Sequence, residues 1–277
     1  MMSDDRSLAD IARSIRKNIL NVAYRAPVDG VHMGSALSMV DILTALYGAK
    51  MNYDASMMVQ FDRDRFLLSK GHAALGLYAA LYEFAIITKE QLDSFDVNGS
   101  IFQALTPHHV ELGIDFPGGS LGLGLSYGIG IALSRRLKQQ PWHTYVVLGD
   151  GECNEGSIWE SALFAAHQKV DTLTAIVDRN GLQSDGFSKD IINFDIESIW
   201  RAYGWEVIVC NGNDITEILA ALNAPHHGKP KAIIAQTVKG KGVSFMENNN
   251  DFHRARLSEK QFNDAIIELD GGACVGR

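Results

Sequence analysis

Residues 145–160 read YVVLGDGECNEGSIWE, and this stretch decides the fold. Its apolar start predicts a buried strand over 145–148, and a helix is predicted after it over 157–168. Between them lies Gly149-Asp150-Gly151, whose glycines let the backbone turn sharply and approach a ligand closely. The helix presents unpaired N–H groups and a partial positive charge to an anion. Because parallel sheets bind ligands beyond the carboxyl ends of their strands, the stretch predicts a ligand site.

A second strand, predicted over 174–177, ends in residues 178–182, DRNGL. Gly151 and Asn180 are separated by 28 residues, which is enough for one helix and the next strand. We therefore expect Asp150 and Asn180 to lie side by side at adjacent strand ends. Carboxylate, side-chain amide and main-chain carbonyl oxygens are the ligands that Mg²⁺ or Ca²⁺ accepts beside the oxygens of a diphosphate.

Each half of this pattern also has a simpler explanation. Gly-Asp-Gly is a common turn, and Asn180-Gly181 is a frequent turn dipeptide. Ser157 with Glu160 fits a helix capping box, which needs no ligand. The two halves together, each placed after a strand and at this spacing, favour a cofactor site over two unrelated turns.

The remainder of the chain alternates apolar strands with helices of about ten residues, a pattern typical of a parallel sheet covered on both faces. Further strands are predicted over 207–210 and 232–238, and further helices over 7–24, 38–48, around 72–86, 124–138, 197–203 and 215–222. Residues 106–122 are rich in glycine and proline and predict a loop. The sequence therefore predicts one α/β domain over 1–277, with a doubly wound, mostly parallel sheet and helices on both faces. A helical portion precedes the sheet, and a C-terminal tail begins at about 258.

The composition limits the classes of partner. The chain has 277 residues, of which 46% are hydrophobic, and its formal net charge is −8. This negative charge argues against nucleic acid or an anionic membrane as the main partner. Three scattered cysteines fit reduced thiols better than a disulfide framework. The polar, acidic N-terminus lacks the features of a signal peptide, and no apolar stretch reaches the ~18 residues of a membrane span, so we expect a cytoplasmic protein.

The segments GDGECNEGSIWE and DRNGLQSDG together resemble the thiamine diphosphate fingerprint of transketolases, especially those encoded as two separate chains. The resemblance covers about residues 15–255. Residues 62–72, DRDRFLLSKGH, look like the segment that precedes the second histidine of the family. Residues 119–124, GSLGLG, parallel the Gly-Pro-Leu-Gly-Gln-Gly loop under the aminopyrimidine ring. The resemblance implies a thiamine diphosphate-binding fold, with this chain as the diphosphate-binding domain.

The resemblance also implies roles for the residues that match the fingerprint. Asp150, Asn180 and the carbonyl group of Leu182 would hold Mg²⁺ or Ca²⁺. The backbone of Gly151 would face the diphosphate of thiamine diphosphate. His72 would lie near the diphosphate and the thiazolium ring, where it would serve both cofactor binding and catalysis.

Three further positions match residues that contact the cofactor or the second half of the assembly. Gly119 and Leu121 would meet the aminopyrimidine ring. Glu155 matches a glutamate that lies at the interface between chains and helps to couple the two cofactor sites. The resemblance therefore gives Glu155 a place among both the cofactor-binding and the catalytic residues.

His32, His109 and His253 match histidines that surround the substrate in the family. At the first of them the family reads Gly-His-Pro-Gly, whereas residues 31–34 of this chain read VHMG. His108 stands directly beside His109, and the sequence leaves open which of the two faces the site. Imidazole titrates near neutral pH, so such residues can exchange protons with substrate hydroxyl groups and stabilise a developing oxyanion.

The function implied is that of the N-terminal subunit of a two-chain transketolase, a transferase that moves a two-carbon ketol unit from a ketose phosphate to an aldose phosphate. The family's ylide-forming glutamate lies on a pyrimidine-binding domain. We expect a C-terminal partner subunit to supply that domain, so the chain would be active only with this partner. The expected assembly is a homodimer of the chain alone and a heterotetramer with the partner.

Three other functions fit the sequence less well. The α subunit of a thiamine diphosphate-dependent 2-oxo acid dehydrogenase shares the fingerprint but not the histidine-rich N-terminal portion. A nicotinamide-binding domain needs Gly-x-Gly-x-x-Gly, and residues 122–127, GLGLSY, fail at the last position. A non-catalytic subunit would be expected to lack Asp150, Asn180 or Glu155, and all three are present.

Overall fold

A computed structural model describes residues 6–27, 30–60 and 62–272. Its centre is a five-stranded sheet with the order β1-β2-β3-β5-β4, in which every pair of neighbouring strands is parallel. The strands are β1 Arg65–Leu68, β2 Thr144–Gly149, β3 Leu173–Arg179, β4 Glu206–Asn211 and β5 Lys231–Gln236. All the carboxyl ends of the strands therefore lie at one edge of the sheet.

Eleven α-helices are found in the described part of the chain. They are α1 Leu8–Arg25, α2 Met33–Ser38, α3 Val40–Ala45, α4 Ala74–Glu83, α5 Lys89–Asp93, α6 Leu123–Lys138, α7 Gly156–His167, α8 Ser188–Ile191, α9 Ile196–Ala202, α10 Ile215–Asn223 and α11 Glu259–Leu269. None of them is both long enough and apolar enough to cross a bilayer.

The strands send alternate side chains into two separate apolar cores. In β2, Tyr145 and Val147 belong to the larger core, which is shared with α1 to α5, α10 and α11. Val146 and Leu148 belong to the smaller core, which is shared with α6, α7 and α9. All four side chains are buried. The prediction of a doubly wound α/β sheet with helices on both faces is thus confirmed.

Several elements differ from the sequence-based expectation, and the short helices α5 and α8 were not predicted. Strand β1 was not predicted, because its four residues are too short a run to show a period and charged residues precede it. The helix predicted over 38–48 instead begins at Met33 and is broken into α2, α3 and a π-helix over Leu46–Lys50. The break at Met39 lies between two short helices that are both fully buried, so burial and not amphipathic periodicity determines their course.

The segment from about 258, which was expected to be a tail, contains helix α11. Its start is a capping box, in which the Ser258 hydroxyl accepts from the Gln261 N–H and the Gln261 side chain accepts from the Ser258 N–H. Tyr24 of α1 and Phe262 of α11 stack with their ring centroids 4.5 Å apart. The end of the described chain is therefore packed against its beginning.

The cysteines were expected to be reduced thiols. Cys153 and Cys210 are both free and buried. Burial raises the pKa of each thiol, to about 11 for Cys210, so neither is an activated nucleophile at neutral pH. Cys274 lies outside the described residues.

Candidate active site

The carboxyl ends of the strands open into a cavity of about 270 Å³. Of the site residues expected from the sequence, those that line it are His32, His72, Gly119, Leu121, Asp150, Gly151, Asn180, Leu182 and His253. These residues come from segments that are far apart in the chain. The parallel topology brings His72, Asp150, Gly151, Asn180 and Leu182 together, because they follow the carboxyl ends of β1, β2 and β3.

Asp150 and Asn180 lie on adjacent strand ends, as expected, because Gly149 of β2 pairs in register with Asp178 of β3. One carboxylate oxygen of Asp150 accepts from the Gly151 N–H at 2.9 Å, and the other accepts from the Gly181 N–H at 2.8 Å. Asp150 and Asn180 are each only 8% exposed. Burial, and after it the negative charge of Asp178, raises the pKa of Asp150, so a cation at this place would relieve an unfavourable charge.

The donor set fits a hard cation and does not fit a soft one. Carboxylate, amide and carbonyl oxygens are available from Asp150, Asn180 and Leu182, which all line the cavity. Within the described ranges, no group of three or more His, Cys, Asp or Glu side chains is placed to hold a metal ion. A metal bound here would therefore complete its coordination with oxygens of a ligand or of water.

Lys70 is a cationic residue of the site to which the sequence assigned no role. It follows β1, lines the cavity and is buried. Its ammonium group donates to the carboxylate of Asp178 and to the carbonyl oxygen of Ser35 at 3.0 Å. The available signal was a lysine placed one residue beyond an apolar run and directly before Gly71-His72 in a chain of net negative charge.

Glu152 connects the glycine loop before α6 (residues 119–122) with the Gly-Asp-Gly turn through hydrogen bonds. Its buried carboxylate accepts from the Gly122 N–H at 2.9 Å, from the Gly149 N–H at 3.0 Å and from the Ser69 hydroxyl. Gly122 has a φ of +86°, and a Cβ there would lie 2.4 Å from the Ser157 hydroxyl oxygen. Glu152 was not expected in this role, since nothing in the sequence distinguishes it from the two other glutamates of the same region, at 155 and 160.

Gly151 has a steric reason to lack a side chain. A Cβ at this position would lie 2.9 Å from the Cγ atom of Gln183, which also lines the cavity. The Gln183 side chain therefore packs directly against the turn over Gly151–Asn154. Such a turn, followed by the N-terminus of α7, is suited to an anionic group.

Three histidines form a cluster at the cavity. The ring centroids of His32 and His72 lie 5.3 Å apart, those of His32 and His253 5.2 Å, and those of His72 and His253 6.1 Å. An isolated antiparallel bridge between Val31 and Ala255 brings the first and the last of these segments together.

The cluster is neutral at ordinary pH. Burial, followed by the charge of Lys70, lowers the pKa of His72 to about 3. Burial, followed by the charge of Lys239, lowers the pKa of His253 to about 4. Burial also lowers the pKa of His32. The three rings can therefore donate and accept hydrogen bonds without carrying charge.

Two residues expected in the site lie elsewhere. Glu155 is exposed at the start of α7 and is not among the residues that line the cavity. His109 is half-buried and forms a bridge with Ile114, and it is also outside the cavity lining. Its Nδ1 atom is buried without a hydrogen-bond partner, whereas the neighbouring His108 is exposed. The roles given to Glu155 and His109 remain predictions.

Comparison with known proteins identifies the family. The model of the family described as transketolase, thiamine diphosphate binding domain, matches residues 9–269. A protein of Actinobacillus succinogenes, named as one of the subunits of an apulose-4-phosphate transketolase, is 38% identical over 260 residues, which cover 93% of this chain and 94% of that protein. A 6-deoxy-6-sulfo-D-fructose transketolase subunit of one Clostridium species is 38% identical over 242 residues, which cover 86% of this chain and 88% of that protein.

Solved structures agree with this result. A transketolase of Campylobacter jejuni matches with a TM-score of 0.82 and 26% identity, and a transketolase of Leishmania mexicana with a TM-score of 0.85 and 25% identity. The matches cover 97% and 98% of this chain but only 43% and 42% of those chains. The resemblance seen in the sequence is thereby confirmed, and the chain belongs to the transketolase family as a thiamine diphosphate-binding domain.

Proposed function

We propose that the chain is the N-terminal subunit of a two-chain transketolase, which transfers a two-carbon ketol unit from a ketose to an aldose with thiamine diphosphate and Mg²⁺ or Ca²⁺. One observation carries the proposal. A single cavity joins hard oxygen donors, a buried lysine and three neutral histidines. The oxygen donors and the lysine suit a metal-bound diphosphate, and the three histidines suit a substrate rich in hydroxyl groups.

The residues of the cavity fit the cofactor. Asp150, Asn180 and the carbonyl group of Leu182 would hold the metal, while Lys70 and the backbone of Gly151 would face the diphosphate. A Cβ at Gly151 would lie 2.9 Å from the Cγ atom of Gln183, so a side chain at this position would force Gln183 to shift at the wall of the cavity. When bound, thiamine diphosphate supplies a carbon centre that stabilises the carbanion left by cleavage of a C–C bond.

The histidines would act on the substrate. His32, His72 and His253 are neutral and surround one volume, so each can bind a hydroxyl or carbonyl oxygen without repelling its neighbours. A neutral imidazole also takes or gives a proton when a substrate hydroxyl group is deprotonated or re-formed. This cluster supports a transketolase over the α subunit of a 2-oxo acid dehydrogenase, whose substrates offer no row of hydroxyl groups.

A partner subunit is part of the proposal. The two relatives named as transketolase subunits are matched over most of their own length, and the one-chain transketolases over less than half of theirs. Leu121, Leu123 and Tyr127, beside the cavity and at the start of α6, are 37%, 48% and 43% exposed. Such an apolar rim suits a second chain that carries the pyrimidine-binding domain. We propose a heterotetramer with that partner and a homodimer without it, in the cytoplasm.

The test is reconstitution. The chain would be purified alone and with the C-terminal subunit encoded in the same genome, and each sample assayed with thiamine diphosphate, Mg²⁺ and an aldose phosphate. The donors would be fructose 6-phosphate, apulose 4-phosphate and 6-deoxy-6-sulfofructose. We expect transfer of two carbons by the mixture and none by the chain alone. Turnover by the isolated chain at the rate of the mixture would refute the two-chain arrangement. Absence of cofactor binding and of transfer from every donor would refute the function.

A further inference from the structure

Lys239, in the segment that follows β5, is a buried cation behind the histidine cluster. It is 1% exposed. Its Nζ atom lies 2.8 Å from Nδ1 of His253, 3.2 Å from the main-chain oxygen of Gln183 and 3.3 Å from Oδ1 of Asn250. The last two partners are acceptors with no proton to give. Nothing expected from the sequence gave this lysine a role.

Burial, followed by the positive charge of Lys70, lowers the pKa of Lys239 to about 8, so below that pH its side chain is an ammonium group. The chemistry of an ammonium group then fixes the direction of the contact with His253. A lysine ammonium has three N–H donors and no acceptor, and three partners lie within reach. Lys239 must therefore donate to Nδ1 of His253, which requires that Nδ1 carry no proton. A neutral imidazole has one proton, so it must lie on Nε2.

We propose that Lys239 is a positioning residue that holds His253 as the Nε2–H tautomer, so that His253 presents a hydrogen-bond donor to a substrate oxygen. The role in substrate binding rests on the proposed transketolase function, whereas the tautomer itself does not. In this state His253 donates to a hydroxyl or carbonyl oxygen and does not remove a proton from it. Removal of a substrate proton then falls to another group of the site.

The groups around His253 support a neutral ring. Lys239 lies on one side, the rings of His32 and His72 face it, and Asp185 is the acidic group nearby. Burial, then the positive charge of Lys239, then His32 lower the pKa of His253 to about 4, and the charge of Asp185 opposes them. Protonation of Nδ1 would also set an imidazolium N–H against an ammonium N–H.

The tautomer can be observed directly in the whole chain without cofactor or partner. The chain would be labelled with ¹⁵N at its histidines, and two-bond ¹⁵N–¹H correlation spectra recorded from about pH 7 to about pH 5, where Lys239 carries its proton. The variant His253→Gln assigns the signal by removing it. We expect the Nε2–H pattern for His253, unchanged over the range. An Nδ1–H pattern, or a ring that is protonated at neutral pH, would overturn the proposal.

Variants of Lys239 test the cause. Lys239→Met removes all three donors with little change in volume, and we expect a mixture of tautomers and a pKa closer to the ordinary value. Lys239→Arg keeps donors and has no acceptor, so the Nε2–H pattern should persist. The His143 signal, from the opposite end of the sheet, reports whether the fold is intact. An unchanged His253 pattern in a folded Lys239→Met variant would overturn the proposal.

The assembled enzyme gives a second readout. Lys239→Met should lower kcat/KM by about 10-fold to 100-fold, because part of the His253 population no longer offers a donor, and Lys239→Arg should recover most of the loss. The acid limb of the pH profile should move upward in Lys239→Met only. If the assembled wild type transfers no ketol unit, the proposed function fails, while the tautomer is still decided by the spectra.

Discussion

The ammonium group of Lys70 and the carboxylate of Asp178 form an ion pair that is closed to solvent, with side chains 2% and 0% exposed. Lys70 follows β1, Asp178 belongs to β3, and β2 lies between these two strands. The pair therefore ties the edge strand to the middle of the sheet. Asp178 also accepts from the hydroxyl groups of Ser38 and Thr237, so a single carboxylate joins four segments beneath the cavity.

We predict that Lys70→Met lowers the free energy of unfolding by about 3–5 kcal/mol, because it leaves a buried carboxylate without its opposite charge. Urea unfolding of the purified chain measures the effect. Lys89→Met, in the exposed pair with Asp93, is the matched control and should cost about 0.3–0.5 kcal/mol.

The double variant Lys70→Met with Asp178→Asn should be less destabilised than the two single changes added together, because it leaves no unpaired charge. Additive effects would mean that the two side chains contribute independently and that the ion pair is not what holds β1.

We predict that Asp150→Ala and Asn180→Ala each abolish metal-dependent binding of thiamine diphosphate by the assembled complex and leave the fold intact. Each change removes an oxygen from a hard cation that bridges an anionic cofactor and an acidic protein. Asp190→Asn, an exposed change in the same region, is the control. Titration calorimetry provides the measurement, and wild-type affinity in both variants would show that the Gly-Asp-Gly segment is only a turn.

We predict that Glu155→Gln weakens activity or assembly, since an interfacial carboxylate usually has a partner to lose. The alternative is that Glu155, at the N-terminus of α7, only interacts with the helix dipole, which is worth about 0.3–1 kcal/mol. Glu259→Gln at the N-terminus of α11 changes the same charge at a comparable helix. Light scattering of the mixed subunits and the assay should separate the two variants. Equal behaviour would support the dipole explanation.

We predict that part of the stability is lost as the pH falls, because of His143. Nε2 of this ring lies within hydrogen-bond distance, 2.9 Å, of the Thr174 hydroxyl oxygen. Burial, followed by the charge of His226, lowers the pKa of His143 to about 3. The unfolded chain takes up the proton at about pH 6.5, and the folded chain does not until about pH 3. The unfolded state thus binds more protons in this window, and stability falls by up to about 1.4 kcal/mol per pH unit.

The measurement is urea unfolding of the wild type and of His143→Gln at about pH 7 and about pH 5. His72 and His253 contribute with the same sign, and the raised pKa of Asp64 with the opposite sign, so only the difference between the two proteins isolates His143. We expect a smaller loss in the variant. The same loss in both proteins would contradict the prediction.

Most of the fold could be predicted from the sequence, because the strands of a covered parallel sheet are continuous apolar runs. The pairing of Asp150 with Asn180 followed from spacing and topology alone. Strand β1 was not predicted because four residues carry no period. Helix α11 was also missed, although it is longer than α9 and α10, which were predicted.

The buried charged residues that hold the site in place could not be predicted in the same way. Lys70, Glu152 and Lys239 act through contacts with segments remote in the chain, and nothing in their immediate sequence marks them. The residue type alone does not show whether a lysine is buried or exposed. Only the packing around the side chain determines its pKa and its hydrogen-bond partners.

The bridge between Val31 and Ala255 has a consequence for the order of folding. It consists of two hydrogen bonds of 3.0 and 3.1 Å between residues near opposite ends of the chain. Closing such a loop in an unstructured chain costs entropy that increases with the logarithm of its length, and the sheet shortens the effective loop only once it has formed. We therefore expect the histidine cluster to form after the sheet. Hydrogen exchange labelling in pulses during refolding, detected at the Val31 and Ala255 amides, would test this order, because these amides should gain protection after those of the sheet.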